Sequence, residues 1–148
     1  MCGELSLIEL EKITDTNICF YSEFEKADLS KYQSRIYPDK NADSLIWYYI
    51  KSDGEYIGSV WLEKNNADDF AVLGVFIANE NYCGKGIGLI AVQTILKNIK
   101  FLGVNKVVLR VRKDNKRAIK CYRKAGFVES RQYVKDNGIN AVEMIYTK

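Results

Sequence analysis

A glycine triplet, Gly84, Gly86 and Gly88, lies between an apolar run and a long amphipathic segment. Because these glycines leave every second position of a turn without a side chain, backbone N–H groups can approach a bound anion closely. The residues that follow have helical periodicity, so the turn opens a helix whose N-terminal dipole also favours negative charge. The pattern predicts a phosphate or pyrophosphate site, although an ordinary turn explains a bare glycine triplet about equally well.

Two common nucleotide-binding motifs do not fit this loop. A Walker loop with its Gly-Lys pair at Gly84 and Lys85 would need glycine at position 79 and serine or threonine at position 86, where the sequence has Asn79 and Gly86. A dinucleotide-binding fingerprint needs G-x-G-x-x-G, whereas the triplet gives G-x-G-x-G with no evident acidic ribose ligand. A different kind of phosphate loop is therefore required.

A second pattern follows further along the chain, N-x-x-A-x-x-x-Y-x-x-x-G-F, formed by Asn115, Ala118, Tyr122, Gly126 and Phe127. It is similar to the second signature of the GNAT superfamily of acyl-CoA-dependent N-acyltransferases. The glycine loop also resembles the Q/R-x-x-G-x-G/A loop of that superfamily, at all but its first position. Cys83 stands at that first position.

The resemblance implies acetyl-CoA as co-substrate and no metal. It places the pyrophosphate on the backbone N–H groups at the start of the helix, and the pantetheine arm along the backbone of the preceding strand, where two central strands splay apart. Lys85 adds charge to the loop, or is simply solvated. The predicted cofactor-binding residues are Phe76, Ile77, Ala78, Gly84, Lys85, Gly86, Ile87, Gly88, Leu89, Asn115, Ala118 and Tyr122.

Tyr122 matches the position that supplies the general acid in this family. Attack of an amine on a thioester releases a thiolate, and a free tyrosine titrates near ~10 against ~8.5 for a thiol, so a tyrosine can protonate that leaving group. Packing of the ring on the sheet is the alternative role, and it is compatible with catalysis. Cys121 beside it is interpreted as a small apolar residue rather than a nucleophile.

The general base stays unassigned. Some family members place a glutamate on the fourth or fifth strand, but this sequence has Ala71, Val72 and Arg110 in those regions. Glu80 and Glu143 are the remaining candidates, each acting through water. Without a base, an acyl-CoA-binding regulatory module that does not turn over remains the alternative to an enzyme.

Hydrophobic periodicity and turn residues predict the order β-α-α-β-β-β-α-β-α-β-β, a mixed α/β sheet in one domain over residues 1–148. The first two helices are predicted at Asp15 to Lys26 and Asp28 to Tyr37, the latter ending before Pro38. Asp53-Gly54 and Asn137-Gly138 predict hairpins. The segment between the first two strands is expected to form part of the acceptor site, by resemblance to the family.

Composition removes several other classes of function. The sequence has no histidine, and its four cysteines form no C-x-x-C pair, so a zinc site and every histidine-based nucleophile scheme are excluded. No 18-residue apolar run and no basic, apolar leader is present. We therefore expect a cytoplasmic protein with no membrane association, and leave a homodimer open.

Charge is divided unevenly between the two halves. Residues 1–81 carry 15 acidic and 7 basic side chains, whereas residues 82–148 carry 4 acidic and 15 basic ones. The basic half fits a cofactor with several phosphates, and the acidic half suggests a cationic amine acceptor, such as an aminoglycoside, a polyamine or a protein amine. Two solvated faces are the alternative. No nucleic-acid-binding signature accompanies the basic segment, so no nucleic acid is expected.

Overall fold

The computed structural model describes residues 7–26, 35–78 and 86–148. Within them, seven strands form one sheet in the order β1-β2-β3-β4-β5-β7-β6. The strands are β1 Ile8–Lys12, β2 Ser44–Ser52, β3 Glu55–Lys64, β4 Ala71–Ile77, β5 Lys106–Arg112, β6 Val128–Val134 and β7 Asn140–Thr147. The helices are α1 Ile87–Leu96 and α2 Lys116–Lys124, with 3-10 helices at Ile18–Lys26 and Ile99–Leu102.

Strands β1 to β4 form the predicted antiparallel meander, with neighbours in sequence paired in space. The hairpin between β2 and β3 turns at Asp53 and Gly54, which both have positive φ, as the Asp-Gly pair predicts. The first predicted helix is a 3-10 helix that begins at Ile18 rather than at Asp15. Most of the second predicted helix lies outside the described residues, and its last part, residues 35–37, is not helical.

The crossover through α1 joins two parallel strands that separate soon after they begin. Strands β4 and β5 pair only at Ala71 with Val107 and at Val72 with Val108. Beyond that point each strand keeps its other neighbour, since β4 pairs with β3 as far as Ile77 and β5 pairs with β7 along its whole length. The predicted splayed strand pair is confirmed.

The two faces of the sheet carry different cores. Helix α1 packs an aliphatic core on one face, where Ile87, Ala91, Ile95 and Ile99 are buried as their helical spacing predicts. On the opposite face the first 3-10 helix packs an aromatic core, which consists of Tyr21, Phe24, Tyr49, Trp61 and Phe76. Because side chains of a strand alternate between faces, Trp61 and Glu63 on β3 both lie on the aromatic face.

The mixed α/β class and the single crossover are thus as predicted. Among the described residues, no helix is both long enough and apolar enough to span a membrane.

Candidate active site

A cavity of about 880 Å³ opens where β4 and β5 separate. Its walls come from both faces of the sheet, because Gly88 and Tyr122 line it from the aliphatic face, and Trp61 and Arg110 from the aromatic face. A molecule held between the two strands could therefore meet a second molecule that approaches from the opposite face. This geometry suits a reaction between two substrates.

Helix α1 points its N-terminus into this cavity. Gly86 lines the cavity as the N-cap residue, and its left-handed conformation with φ +79° is one that glycine adopts without strain. No side chain caps the helix, so no side-chain oxygen occupies the N–H groups of its first turn. Gly88 and Leu89 of that turn also line the cavity, whereas the Ile87 side chain is buried in the aliphatic core. The helix start can accept an anion.

The backbone of β4 forms one edge of the opening. The Ala78 N–H donates to the Ile57 carbonyl of β3 at 2.8 Å. Alternate residues of a strand direct their backbone groups to opposite neighbours, so Val75 and Ile77 direct theirs away from β3, toward the gap. Both residues line the cavity, whereas Phe76 and Ala78 do not.

Helix α2 supplies the other wall. The Asn115 side chain caps it by accepting from the Ala118 N–H at 3.2 Å, and the left-handed Gly126 with φ +108° follows its end. Asn115, Ala118 and Tyr122 all line the cavity, as do four cationic side chains of the same helix. Those four are Lys116, Arg117, Lys120 and Lys124.

Tyr122 is half-buried, with its ring edge-on to the buried Phe127 at 6.0 Å between centroids. Burial raises the pKa of the Tyr122 hydroxyl above its ordinary value, with a smaller contribution from the neighbouring Cys121. The phenol is therefore protonated throughout the neutral range and can donate a proton. Burial also raises the pKa of the Cys121 thiol, which disfavours a nucleophilic thiolate.

On the aromatic face, Trp61 lies over Gly74 of β4, its cross-strand partner. The indole N–H donates to Oε1 of Glu63 at 3.0 Å, and Arg35 donates to the same carboxylate at 2.6 and 3.4 Å. Trp61 and Arg35 line the cavity, while the Glu63 side chain is only 9% exposed. The carboxylate therefore holds two cavity-lining side chains in place and has three donors directed at it.

Glu143, one of the candidate bases, is also paired with arginines. It lies on β7 between Arg110 and Arg131, at 3.4 and 3.2 Å. Partial burial alone would raise the pKa of Glu143, but the two guanidinium groups and the Ser130 hydroxyl hold it below its ordinary value. A carboxylate stabilised as the anion is a weak base, and Glu143 does not line the cavity. Glu80, the other candidate, lies outside the described residues.

Comparison with known proteins agrees with this geometry. Residues 10–127 match the model of the Acetyltransferase (GNAT) family. The chain belongs to the GNAT acetyltransferase family. An uncharacterized N-acetyltransferase of Bacillus subtilis (strain 168), YdgE, is 28% identical over 107 residues, which are 70% of this chain and 68% of that relative.

Solved structures share the fold. The aminoglycoside acetyltransferase AAC(6')-Ib in complex with paromomycin and acetyl-CoA has a TM-score of 0.77 at 20% identity, with 95% of this chain and 93% of that chain covered. A chimera of the spermidine N-acetyltransferase SpeG from Vibrio cholerae and hSSAT has a TM-score of 0.73 at 21% identity, with 95% and 94% covered. The assignment to acetyl-CoA-dependent N-acetyltransferases that the two motifs predicted is confirmed.

Within this GNAT fold the structure brings most of the predicted site residues together. Ile77, Gly86, Gly88, Leu89, Asn115, Ala118 and Tyr122 line one cavity. Gly84 and Lys85 lie outside the described residues. Phe76 and Ala78 do not line the cavity, because their backbone groups face β3 and the Phe76 ring is buried in the aromatic core.

Sequence reasoning missed the wall on the aromatic face, which Arg35, Trp61 and Gly74 form with Glu63 buried behind it. One signal for it was present, since an isolated glycine inside an apolar strand often marks the close approach of another group. Gly74 was such a glycine. The ion pair between Arg35 and Glu63 joins residues far apart in sequence, and no local pattern indicates it.

Proposed function

We propose that this acetyltransferase transfers the acetyl group of acetyl-CoA to a primary amine of a small molecule or of a peptide or protein, in a ternary complex without a covalent enzyme intermediate. One observation carries the proposal. The cavity between β4 and β5 is lined from both faces of the sheet, with the start of α1 and Tyr122 in its wall. One substrate can thus lie between the strands while the other reaches it from the aromatic face.

The residues present fit a CoA molecule. First-turn N–H groups of α1 donate hydrogen bonds to the pyrophosphate, and the dipole of the helix adds to its binding. The cationic side chains of α2 neutralise phosphate charge, and the outward backbone groups of Val75 and Ile77 pair with the amides of the pantetheine arm. These assignments include Gly84 and Lys85 as further members of the phosphate loop.

The reaction forms an amide bond from the neutral amine and breaks the thioester C–S bond, with the electron pair leaving on sulfur. Tyr122, which lines the cavity and is protonated in the neutral range, donates its phenolic proton to that sulfur. The amine loses one proton to solvent, and solvent returns one proton to the Tyr122 phenolate, so the net reaction leaves the enzyme unchanged. Among the described residues, no carboxylate lines the cavity, so the chain offers no direct base there.

Release of CoA thiol in the presence of acetyl-CoA and a panel of amines tests the proposal, with mass spectrometry of the acetylated product. The panel includes spermidine and aminoglycosides, because structural neighbours carry those names. We expect amine-dependent CoA release. Tight CoA binding by calorimetry, with no release for any amine, would instead support a non-catalytic acyl-CoA-binding module.

A further inference from the structure

The charge of the cavity wall is strongly one-sided. Among the described residues that line it, eight are cationic and none is acidic. They are Arg35, Arg110, Arg112, Lys116, Arg117, Lys120, Lys124 and Lys135. The two undescribed segments nearest in sequence, residues 27–34 and 79–85, each add one acidic and one basic residue, so they do not alter this balance.

Apart from Lys135, which follows β6, these cations fall into two groups on opposite faces of the sheet. The four on α2 lie on the aliphatic face, where CoA phosphates would be bound. On β5, Leu109 and Val111 are buried in the aliphatic core. Because side chains of a strand alternate between faces, Arg110 and Arg112 lie on the aromatic face. Arg35 joins them there through Glu63. The second group therefore faces the side from which the amine approaches.

Three carboxylates lie close to this second group. Arg112 binds the exposed Asp114 at 2.9 and 3.1 Å, whereas Glu63 and Glu143 are covered by Arg35 and Arg110. In these last two pairs the acid is the more buried partner, with Glu63 at 9% against 45% for Arg35, and Glu143 at 14% against 45% for Arg110. Arg35 uses two donors on Glu63, and a guanidinium has five. An incoming acceptor thus meets guanidinium groups that have donors to spare and are paired with carboxylates behind them.

We propose that the amine acceptor carries an anionic group, a carboxylate or a phosphate, which Arg35 and Arg110 bind on the aromatic face of the cavity. The fork of an arginine matches both anions through paired hydrogen bonds. Arg110 and Arg131 share the single carboxylate of Glu143, so this face keeps an excess of positive charge that disfavours a polycation. The proposal rests on the acetyltransferase function proposed above and narrows its acceptor class.

The arginines on the aromatic face also bear on how the amine loses its proton without a direct base. A guanidinium close to an ammonium group favours the neutral amine, because like charge disfavours the charged form. The acceptor's own anion would be bound by arginine, and its amine would enter the reaction as the free base. The cationic face then supports both recognition and deprotonation.

Matched pairs of amines test the proposal with wild-type enzyme and acetyl-CoA. One pair is ethanolamine phosphate against ethanolamine, and the other is a dipeptide with a free C-terminal carboxylate against its C-terminal amide; spermidine is the polycation. Two charge-assisted hydrogen bonds to the anionic group should make kcat/KM for the anionic member of at least one pair ~10- to 100-fold higher than for its neutral partner. The pair that responds distinguishes phosphate from carboxylate.

Arginine variants locate the effect. Arg35→Gln and Arg110→Gln should each raise the KM for the preferred anionic amine ~10-fold or more, while the KM for its neutral partner changes much less. Arg35→Lys keeps a positive charge beside Glu63, so it serves as a second variant in case Arg35→Gln does not fold. Arg123→Gln, on α2 but outside the cavity wall, is the matched control.

Equal or better turnover of neutral amines or spermidine, with the arginine variants unchanged, would overturn the acceptor proposal and leave the acetyltransferase function standing. If no amine of any charge is acetylated although CoA binds, the proposed function itself fails and the acceptor proposal fails with it. Those two results are distinguishable in the same set of assays.

Discussion

A Cβ atom on Gly74 would lie 2.1 Å from Cε2 and Cζ2 of Trp61. Only glycine lets the indole rest on the backbone of β4, and from that position its N–H reaches Glu63 at 3.0 Å. The contact thus links the strand at the edge of the gap to the carboxylate that holds Arg35. It sets the shape of the wall that an acceptor would meet.

Gly74→Ala should displace the indole and destabilise the protein by ~1 to 3 kcal/mol, as overpacking in a filled core does. The KM for the amine should rise more than the Kd for CoA changes, because the backbone groups of Val75 and Ile77 stay directed toward the gap. Chemical denaturation and steady-state kinetics measure the two effects. Gly88→Ala is the stability control, since its Cβ would meet Cys121 Sγ at an ordinary 3.7 Å. Equal stability of the two variants would refute the role given to Gly74.

Gly86 offers a test of the phosphate site that separates charge from backbone strain. Asn and Asp tolerate the left-handed conformation better than other residues and are nearly equal in size. Gly86→Asn and Gly86→Asp should therefore lose similar stability, while Asp weakens CoA binding ~10-fold or more relative to Asn, because like charges then face each other. Calorimetric titration measures the Kd for CoA of both variants. Equal CoA affinity of the two variants would place the phosphates elsewhere.

Glu143 predicts a pH dependence of folding. Its pKa is lowered in the folded state from an ordinary value of 4.5, so its stabilising contribution is present above that value and is lost as pH falls through the folded pKa. Glu143→Gln should thus be less stable than wild type at neutral pH, and the difference should shrink below about pH 4.5. Urea denaturation at several pH values measures it. Glu55→Gln, at an exposed position, is the control; a difference that does not vary with pH would contradict the ion-pair origin.

The parts of the fold that the sequence predicted well are those set by local physical chemistry. Asp53 with Gly54 fits a tight hairpin turn, and the spacing of Ile87, Ala91 and Ile95 fits a helix with one buried face. The Asn115 cap follows from its side-chain oxygen. Tertiary pairing was harder to predict, because Arg35 and Glu63 become neighbours only once the sheet has formed.

The first helical segment shows a different limit. Periodicity cannot separate an α-helix from a 3-10 helix over a short aromatic run, and Ile18–Lys26 is 3-10 throughout. Its Tyr21 and Phe24 are fixed by packing on Tyr49 and Phe76 rather than by helix propensity. The distribution of charge along the sequence is likewise a poor guide to the charge of the cavity. Residue counts showed an acidic first half, but Glu63 is buried behind Arg35, and the cavity receives the guanidinium instead.

Tyr122→Phe should keep acetyl-CoA affinity and lower kcat ~10²- to 10⁴-fold, the usual contribution of a positioned proton donor. The ring remains and still packs on Phe127, so the fold is preserved. Because the wild-type phenol has a raised pKa, no alkaline loss of rate near pH 10 should be assigned to it. Tyr146→Phe is the matched control, since that ring also packs on Phe127, at 5.6 Å, but lies outside the cavity wall.

The choice of acyl donor separates proton donation by Tyr122 from positioning. A thioester whose thiol has a lower pKa needs less protonation of its leaving group, so the loss of rate in Tyr122→Phe should be smaller with that donor than with acetyl-CoA. Rates are compared under conditions where chemistry limits turnover. An equal loss with both donors would mean that the hydroxyl orients the thioester, and an unchanged kcat would reduce Tyr122 to a packing residue on Phe127.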